Sequence, residues 1–555
     1  MTTFKSSPPL YAWLVLVIGV VFLLWKLSRV GMRPKGYPPG PPTLPIIGNL
    51  HQLPRKDLHL QFQKWTEQYG PVVSIQLGTQ TLVLLGTATA VSDLLEKKSS
   101  IYSTRMDIMF REFGNELNIA FRPYDDVWRR QRKVYHVRLN AKLANNYLPY
   151  QYFETYHLLH DLLESPREYR HHVERFTISI GSTIAFGKRV QSADNPAVKT
   201  LMEWFRGTIA AGSSLVIADW WPVVRPLIRA VPFVINPIKQ TLGALHQKEE
   251  NLWKNLVGEA REHVKHGRFY PSLCRDMITR SGESEKDRLS EQEIWYNSGH
   301  SWAAATDTQS NSLLGFIKAM ILYSDVQAEA RNEIDRVVGS QRVPEWTDRP
   351  NLPYIRRCVE ESLRWAPTAL TGGPMPHATS KDDIYKGYYI PAGAGVMNCV
   401  WTINNDPAKF RNPREFNPLR FSEEDSAMEG FSVTQNYEKR PHNTFGAGRR
   451  ICPGSHVAER TLFVTMARLL WAFEFHPKID QFGNAVPIHR DGMTGGMIVG
   501  PEPFECDIRP RGDDKVIFIR RMYEDANTSL DVEGNYTEEF FKENWKAGEV
   551  NVRGL

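Results

Sequence analysis

Apolar residues recur at helical spacing through most of this 555-residue chain. The longest such stretch begins at Ser290, which forms a capping box with Glu293, and continues without proline to Tyr323. A helix of that length runs about 50 Å, enough to cross an entire domain. Ser324 then predicts the cap of a second helix, which Gly339 ends. The dominant pattern therefore predicts a mainly helical protein.

Strand-like alternation is clearest in residues 382–400, where Lys386 and Gly387 predict a turn between two β-rich segments. The chain shows no internal repeat, and no long low-complexity break interrupts residues 51–511. The expected fold class is mainly α with a small β-sheet region, built as one large domain over residues 51–511.

The N-terminus departs from this globular pattern. Residues 10–27 are uncharged except for Lys26 and predict a transmembrane helix. Basic residues follow the apolar run as far as Lys35, whereas Lys5 alone precedes it, so the positive-inside rule places residues 1–9 in the lumen and the rest in the cytosol. A cleaved signal peptide is the alternative, but the segment has no clear small-residue cleavage site. We expect a single-pass anchor.

Two further segments flank the predicted body. Residues 28–50 are basic and proline-rich, which is typical of a stiff, extended linker. Residues 512–555 form a charged C-terminal extension, in which Phe541 and Trp545 are spaced for a short amphipathic helix. A loosely ordered tail is equally consistent with that composition.

Composition and charge exclude several classes of protein. A hydrophobic content of 42%, with 23% charged residues, is that of a globular chain. The formal charge of +6 is small for this length, and no basic stripe interleaved with aromatic residues predicts nucleic-acid binding. The five cysteines are scattered and form no CxxC pair, which argues against a disulfide framework or a zinc knuckle.

One short segment carries an unusual combination of residues: FGAGRRICPG, residues 445–454. It permits three interpretations: a phosphate-binding loop, a buried structural cysteine, or a thiolate that binds a metal. Ile451 stands where the third glycine of a dinucleotide-binding loop belongs, which weakens the first interpretation. Pro453 predicts a helix start just after Cys452, where the helix dipole and free amide groups favour a thiolate.

The remaining residues of the segment favour the metal-binding interpretation. Gly446, Gly448 and Gly454 allow the backbone to bend around the sulfur, and Phe445 supplies an apolar wall. An apolar-walled, amide-bonded thiolate is what a haem iron ligand requires. A lone cysteine is more often a small buried hydrophobe, but these neighbours reverse that preference.

The segment matches the cysteine-ligand loop of the cytochrome P450 superfamily, F-x-x-G-x-R-x-C-x-G, at Phe445, Gly448, Arg450, Cys452 and Gly454. The chain resembles this superfamily over roughly residues 35–511, and most closely its membrane-bound fungal members of secondary metabolism. The resemblance implies the cytochrome P450 fold and a haem b (iron protoporphyrin IX) whose iron takes Cys452 as its axial ligand.

Other landmarks follow in the family's order. Glu361 and Arg364 match the E-x-x-R pair, and Arg420 in FNPLRF matches the third member of a buried structural cluster. Leu419 departs from the family pattern because it replaces an acidic residue.

The resemblance also assigns haem-propionate contacts, in the order of the chain, to Trp128, Arg132, His377 and Arg450. Arginine guanidinium groups, together with tryptophan and histidine N–H groups, are the donors that can supply the hydrogen bonds needed by buried carboxylates.

On the predicted long helix, AAATDTQ resembles the family's oxygen-side motif [A/G]-G-x-[D/E]-T. The resemblance makes Asp307 and Thr308 the catalytic pair that delivers protons to bound O₂, as general-acid chemistry requires. Ala305 replaces the glycine, and the sequence does not determine how well O₂ fits beside its methyl group.

By alignment of segments, the resemblance implies a substrate pocket of mostly apolar residues, which suits a lipophilic small molecule. Its predicted walls are Met109, Phe110, Phe113, Ser301, Ala304 and residues 369–371 and 493–497.

The expected function is that of a haem-thiolate monooxygenase inserting one atom of O₂ into a lipophilic small molecule by hydroxylation, epoxidation or oxidative ring closure. Electrons from NADPH would arrive through a separate NADPH–cytochrome P450 reductase, with cytochrome b5 as a further electron donor. Arg129, Lys133 and Arg449 are the expected docking charges.

The expected location is the endoplasmic reticulum membrane with a cytosolic catalytic domain, and the expected role is a tailoring step in fungal terpenoid, polyketide or alkaloid biosynthesis. Two alternatives share Cys452. A haem-thiolate isomerase or dehydratase would need neither a reductase nor a proton relay, and a catalytically silent haem-binding protein would not turn over. Substrate, pathway and regiochemistry are not determined by the sequence.

Overall fold

Helices make up most of the structure, a computed structural model that describes residues 10–113, 116–279, 288–373, 375–428, 430, 433 and 436–544. The α-helices are α1 Leu10–Arg29, α2 Leu58–Tyr69, α3 Ala88–Val91, α4 Ser99–Tyr102, α5 Asp126–Arg138, α6 Ala141–Ala144, α7 Leu148–Glu164, α8 Tyr169–Phe186, α9 Pro196–Ser214, α10 Val216–Trp220, α11 Arg225–Ala230, α12 Pro237–Lys265, α13 Leu273–Thr279, α14 Glu291–Leu322, α15 Ser324–Val337, α16 Pro353–Trp365, α17 Val400–Asn404, α18 Glu423–Ala427, α19 Ser455–Ala472, α20 Asp513–Asn527 and α21 Glu538–Asn544.

The strands form three small sheets within the described residues. They are β1 Val72–Leu77, β2 Gln80–Leu85, β3 Thr104–Arg105, β4 His377–Ala378, β5 Asp383–Tyr385, β6 Tyr388–Ile390, β7 Gly395–Asn398, β8 Phe473–Pro477 and β9 Cys506–Pro510. The largest sheet has the order β1-β2-β7-β4-β3, with β2 and β7 parallel and its other pairs antiparallel.

The predicted turn at Lys386 and Gly387 is confirmed. These residues have φ of 49° and 82° and join β5 to β6 in a hairpin. The β1-β2 hairpin, which supplies two strands of the largest sheet, was not predicted from the pattern.

The predicted long helix is α14, which packs along α8 through the middle of the protein. Its capping box is present: the Ser290 N–H donates to Glu293 Oε2 at 2.7 Å, and the Glu293 N–H donates to Ser290 Oγ at 3.2 Å. The predicted cap at Ser324 is wrong by one residue, because Tyr323 is the N-cap and Ser324 already belongs to α15. Gly339 follows that helix with φ of 74°, as predicted.

At the N-terminus, α1 exposes its apolar side chains, such as Val17 at 55% and Leu24 at 59%. Among the residues that the structure describes, no helix has the combined length and apolarity needed to span a membrane. The predicted linker that follows lies against the body. The Arg33 side chain donates to Ser74 Oγ on β1 at 3.1 Å, and the Ser74 N–H donates to the Pro39 carbonyl at 2.9 Å.

The C-terminal extension is packed on the body as far as Asn544. Helix α20 runs along α7, and α21 buries Phe541 completely. Of the two alternatives for this segment, the structure has the helix around Phe541, whereas Trp545 lies outside the described residues. Packing therefore continues past Arg511, the predicted end of the body.

Tyr536, between these two helices, completes a buried ion cluster on α7 and α8. Its hydroxyl donates to Glu154 Oε1 at 3.1 Å. Glu154 also accepts from Arg175 at 2.7 Å and from Arg189 at 2.8 Å. Arg189 Nη2 donates to His157 Nδ1 at 3.0 Å. The extension thus supplies a polar group to the interior of the main body.

Candidate active site

Cys452 lies in the loop between the 3₁₀ turn Gly448–Arg450 and α19. Its backbone N–H donates to the Phe445 carbonyl at 2.9 Å, which closes the loop on itself. The sulfur is hydrogen-bonded by the backbone N–H groups of Gly454 and Ser455. The loop therefore presents a half-buried thiol with amide groups aimed at it.

Gly448 fixes the position of this loop. It has φ of 60°, and a Cβ at this position would overlap the Leu95 carbonyl oxygen in the π-helical turn Ser92–Lys97. Gly446 also has a positive φ, of 78°. A larger residue at Gly448 would push the loop away from that turn, so the predicted tight bend requires glycine at these two positions.

Three details of the loop differ from the prediction. Helix α19 begins at Ser455, so Pro453 precedes the helix rather than occupying its first turn. Gly454 has φ of −88°, which any residue adopts, and a Cβ there would lie 3.9 Å from Cys452 Sγ. Burial raises the pKa of the Cys452 thiol, although the two amides and Arg132 act to lower it. The helix start alone does not produce a thiolate; a bound metal ion would.

Three guanidinium groups gather beside the loop. Arg450 stacks on Trp128, 4.2 Å from the ring centroid, and its three nitrogens donate to backbone carbonyls. Arg132 donates to the Ile451 carbonyl. Arg105, which no sequence pattern distinguished, donates to two backbone carbonyls at 2.7 and 3.0 Å.

His377 joins this group from β4, where it pairs with Arg105 of β3. Its Nδ1 donates to the Tyr102 carbonyl at 2.9 Å. Burial, together with the charges of Arg105 and Arg450, holds the pKa of His377 well below its ordinary value. The imidazole is therefore neutral, with its tautomer set by the carbonyl.

The donor set fits a cofactor that carries two carboxylates. Burial lowers the pKa of Arg105 to about 10, and burial with the neighbouring Arg105 and Arg132 lowers that of Arg450 to about 8. Within the part of the chain that the structure describes, none of the three guanidinium groups forms an ion pair with an acid. Buried cations in this state require an anionic partner.

Haem meets this requirement, since its propionates are carboxylates and its iron takes a thiolate ligand. Cys452 would hold the iron. The residues that would meet the propionates are the four predicted ones, Trp128, Arg132, His377 and Arg450, with Arg105 added.

Glu361, Arg364 and Arg420 come together in one buried cluster. Arg364 donates to both carboxylate oxygens of Glu361 at 2.7 and 2.8 Å, and Arg420 Nε donates to Glu361 Oε1 at 3.0 Å. Leu419 is 63% exposed and lies outside the cluster. The departure from the family pattern at Leu419 therefore falls on the surface.

Asn404 connects this cluster to the cysteine loop, although no sequence pattern distinguished it. Its Oδ1 accepts from the Asn443 N–H at 2.9 Å, and its carbonyl accepts from Arg364 at 2.8 Å. Thr444 Oγ1 donates to the Leu363 carbonyl at 2.7 Å. These bonds fix the start of the loop relative to α16.

Asp307 and Thr308 lie midway along α14. Thr308 Oγ1 donates to the Ala304 carbonyl at 2.9 Å, the i−4 bond that hydroxyl residues favour in helices. Asp307 is directed toward α8, where burial and the Glu174 carboxylate raise its pKa. Neighbouring helical residues project about 100° apart. The two side chains therefore occupy different flanks of the helix.

A cleft opens between α9, α12, α14 and the 3₁₀ turn Met109–Phe113. It is lined by Phe110, Arg111, Glu116, Asn118, Phe121, Arg122, Trp204, Thr208, Leu242, Leu245, His246, Glu249 and Tyr296. Its walls combine apolar surface with a few charged groups, as ligand clefts do.

Of the predicted pocket residues whose side chains the structure describes, only Phe110 lines this cleft. Met109 is fully buried against α9 and α12 instead. The side chain of Phe113 lies outside the described residues. Ser301, Ala304 and residues 369–371 and 493–497 do not reach the cleft, and Leu370 packs in a separate apolar cluster with Met493.

The predicted docking cations lie around Tyr124. The guanidinium groups of Arg129 and Arg449 each stand 4.9 Å from its ring centroid, and Arg449 donates to its hydroxyl at 2.7 Å. Lys133 follows one turn after Arg129 on α5. The two arginines thus form one basic surface on the side of the protein that carries the cysteine loop.

Comparison with known proteins agrees with this site. The cytochrome P450 family model matches residues 38–495. Cytochrome P450 monooxygenase virE of Hypocrea virens is 39% identical over 525 residues, which cover 94% of both chains. Cytochrome P450 monooxygenase fogE of Aspergillus ruber is 36% identical over 524 residues, covering 93% of this chain and 94% of its own.

The fold is also similar to a solved zebra fish cytochrome P450 with progesterone, with a TM-score of 0.66 and 22% identity over 82% of this chain and 100% of that one. This chain belongs to the cytochrome P450 family. It is a monooxygenase of that class, as its fungal relatives are named.

Proposed function

We propose that the chain is a haem-thiolate monooxygenase that inserts one atom of O₂ into a lipophilic small molecule. The observation that carries this proposal is the pairing of Cys452, in its amide-lined loop, with guanidinium groups that form no ion pair with an acid among the described residues. When bound there, haem supplies the activation of O₂. The residues of the chain would hold the haem, exclude water and deliver protons.

Proton delivery falls to Thr308 and Asp307. The Thr308 hydroxyl keeps its proton on the Ala304 carbonyl, and rotation about χ1 would release it toward the cofactor side. Asp307, whose pKa is raised by burial and by Glu174, retains a proton at higher pH than an exposed aspartate does. It would resupply the hydroxyl across the width of the helix, through water.

Electrons would come from NADPH through a separate reductase, with cytochrome b5 as a further donor. The basic surface formed by Arg129 and Arg449 around Tyr124 supports docking of an acidic partner beside the cysteine loop. The isomerase and dehydratase alternative needs no such surface, and the monooxygenase names of the fungal relatives do not favour it.

The protein would be held on the endoplasmic reticulum membrane with its catalytic domain in the cytosol. Helix α1 exposes apolar side chains, and a second apolar patch is exposed in residues 217–235, where Val223 is 78% and Val234 80% exposed. Trp221, inside this patch, donates to the Ile46 carbonyl at 3.2 Å, so the patch lies beside the segment that follows α1. Exposed apolar patches of this kind favour membrane contact.

A tailoring step in fungal secondary metabolism is the proposed place of the reaction. The support is the set of fungal monooxygenases to which the chain is similar over nearly its whole length.

The test is the ferrous–CO difference spectrum of microsomes expressing the chain beside its Cys452→Ser variant. We expect a strongly red-shifted Soret band that is lost in the variant. NADPH consumption with reductase and substrate then separates a monooxygenase from an isomerase and from a silent haem protein. Absence of the band, despite good expression and haem supply, would contradict the proposal.

A further inference from the structure

Glu249 is a nearly buried carboxylate on the wall of the cleft. It is only 5% exposed, yet it lines the cleft. Its Oε1 accepts from His300 Nε2 at 2.9 Å and from Trp253 Nε1 at 3.4 Å. Within the described residues, its second oxygen, Oε2, accepts no hydrogen bond and is not among the fully enclosed atoms that have no partner. This oxygen is therefore a free acceptor that a ligand in the cleft can reach.

The local packing holds this carboxylate in place. Gly299 on α14 has no side chain, and a Cβ there would overlap the Trp253 ring. Helix α12 can therefore approach α14 closely enough for Glu249 to reach His300. Trp253 and Trp204 lie 6.2 and 6.1 Å from the His300 ring, centroid to centroid, and restrict its rotation.

An inclined ridge of α14 connects this pair to the predicted oxygen-side residue. Tyr296, His300, Ala304 and Thr308 are four residues apart in succession, so they follow one such ridge, each turned about 40° from the one before. Tyr296 reaches the cleft, and its hydroxyl lies 3.1 Å from His246 Nδ1. Ala304, between the two ends, is exposed. The ridge thus leads from the polar end of the cleft to the site proposed for oxygen chemistry.

We infer that Glu249, held by His300, binds the hydroxyl group of a lipophilic substrate and so selects hydroxyl-bearing molecules. This inference rests on the proposed function, since it places the oxidised carbon near Thr308. The hydroxyl would donate to Glu249 Oε2, while Phe110, Trp204 and Leu242 contact the apolar body.

The spacing along α14 sets the length of such a substrate. His300 and Thr308 are separated by about 12 Å of helix. An extended carbon chain covers that distance in about ten bonds. The hydroxyl end and the oxidised carbon are therefore expected at opposite ends of a molecule of this length.

A hydroxyl fits the cleft better than a cation does, although both donate to carboxylates. Arg111 and Arg122 line the same cleft, but each is paired with an acid, Arg111 with Glu116 at 3.6 Å and Arg122 with Asp125 at 2.8 Å. The preference comes from the apolar part of the walls, because desolvating a cation there costs more than desolvating a hydroxyl. A neutral donor gains the hydrogen bond to Glu249 without that cost.

The test compares three probes of one length on purified holoenzyme: 1-decanol, decyl methyl ether and decylguanidinium. We expect decanol to bind about 10- to 100-fold more tightly than the ether by calorimetry, since a hydrogen bond to a charged acceptor is lost with the ether. Glu249→Gln should remove most of this preference. Glu250→Gln, a neighbouring change outside the cleft lining, should leave it intact.

Regiochemistry gives a second measurement. In the reconstituted system, oxidation of decanol is expected at about C8 to C10, and Glu249→Gln should spread it along the chain. Equal or absent binding of decanol and its ether, in holoenzyme with a normal CO spectrum, would overturn the inference and leave the proposed function standing. Tighter binding of decylguanidinium would overturn the choice of a hydroxyl. Loss of the CO band in the wild type would instead count against the proposed function.

Discussion

The Cβ of Ala305 on α14 lies 3.0 Å from the point where a Cβ would stand on Gly181 of α8. The methyl group that distinguishes this helix from the family pattern is therefore directed at a neighbour that has no side chain. At this contact, α14 carries the extra methyl group of Ala305, and α8 carries Gly181, which leaves room for it. The departure from the family pattern at Ala305 is therefore matched by the packing of α8 on α14.

This pairing predicts that Gly181→Ala destabilises the protein by about 1–3 kcal/mol, as overpacking does. The same change made together with Ala305→Gly should cost less, because one of the two clashing methyl groups is gone. Chemical denaturation of the four proteins of this double-mutant cycle measures the coupling. Simple additivity would show that the two helices relax independently.

Arg105→Leu should stabilise the haem-free protein and, at the same time, weaken its retention of haem. Removing Arg105, a buried cation whose charge acts on Arg450, is expected to stabilise the haem-free chain by about 1–4 kcal/mol. Loss of a propionate partner should weaken haem retention about 10- to 100-fold.

Thermal unfolding and haem-to-protein ratio, measured on both forms, check the two effects of Arg105→Leu. Arg449→Leu is the matched control, because Arg449 is exposed and its proposed partner is another protein. A haem-free variant that is less stable than the wild type would show that Arg105 stabilises the fold and is not kept there to bind an anion.

Glu361→Ala should destabilise the protein by about 3–5 kcal/mol, because Arg364 and Arg420 would be left buried without their counter-charge. Leu419→Glu, which restores the family's acid, should change stability by less than about 0.5 kcal/mol, since Leu419 is 63% exposed. Denaturant unfolding of both variants tests this contrast. Comparable losses in the two would place Leu419 in the cluster after all.

Acid should unfold the protein partly through His157. Burial, with the charges of Arg189 and other neighbours, lowers the pKa of His157 from 6.5 to about 3. Between those pH values the unfolded chain binds a proton that the folded chain does not, so stability falls as pH drops below 6.5. The loss should reach about 2 kcal/mol at pH 5.

His157→Gln should remove this loss between pH 6.5 and 5, whereas His266→Gln at the surface should not. Glu154 adds its own loss only below its ordinary pKa, since Arg189 and Arg175 outweigh the effect of burial and lower its pKa to about 2. Melting temperatures taken across this pH range separate the two contributions. An unchanged profile in His157→Gln would assign the acid sensitivity to another group.

Tyr536 should contribute to stability from outside the predicted body. Tyr536→Phe removes its hydrogen bond to Glu154 and should cost about 1 kcal/mol. Tyr536→Ala also leaves a cavity among Tyr150, Phe153 and Phe541 and should cost about 3–5 kcal/mol. Val532→Ala, at a fully exposed position of the same segment, is the control. Equal stability of all three would mean that the segment does not dock in solution.

The features that the sequence predicted best are those encoded within one contiguous segment. The cysteine loop and α14 with its capping box each lie within a short stretch whose residue order already specifies the geometry. Glu361 and Arg364 meet because they stand three residues apart on one helix.

Features that depend on distant pairing were missed for a physical reason. Arg105 joins the cations beside the cysteine loop only because β3 pairs with β4, which sets it opposite His377. Glu249 and His300 meet because Gly299 admits the Trp253 ring. Neither pair of residues can be recognised from a periodic or local pattern in the sequence, because each meets only through the packing of separate elements.

The distance along the chain between Glu154 and Tyr536 has a consequence for biosynthesis. The carboxylate of Glu154 is made 382 residues before the hydroxyl that completes its cluster. Helices α7 and α8 that fold during translation therefore begin with an incomplete interior. This part of the core is finished only once Tyr536 has been made and has docked.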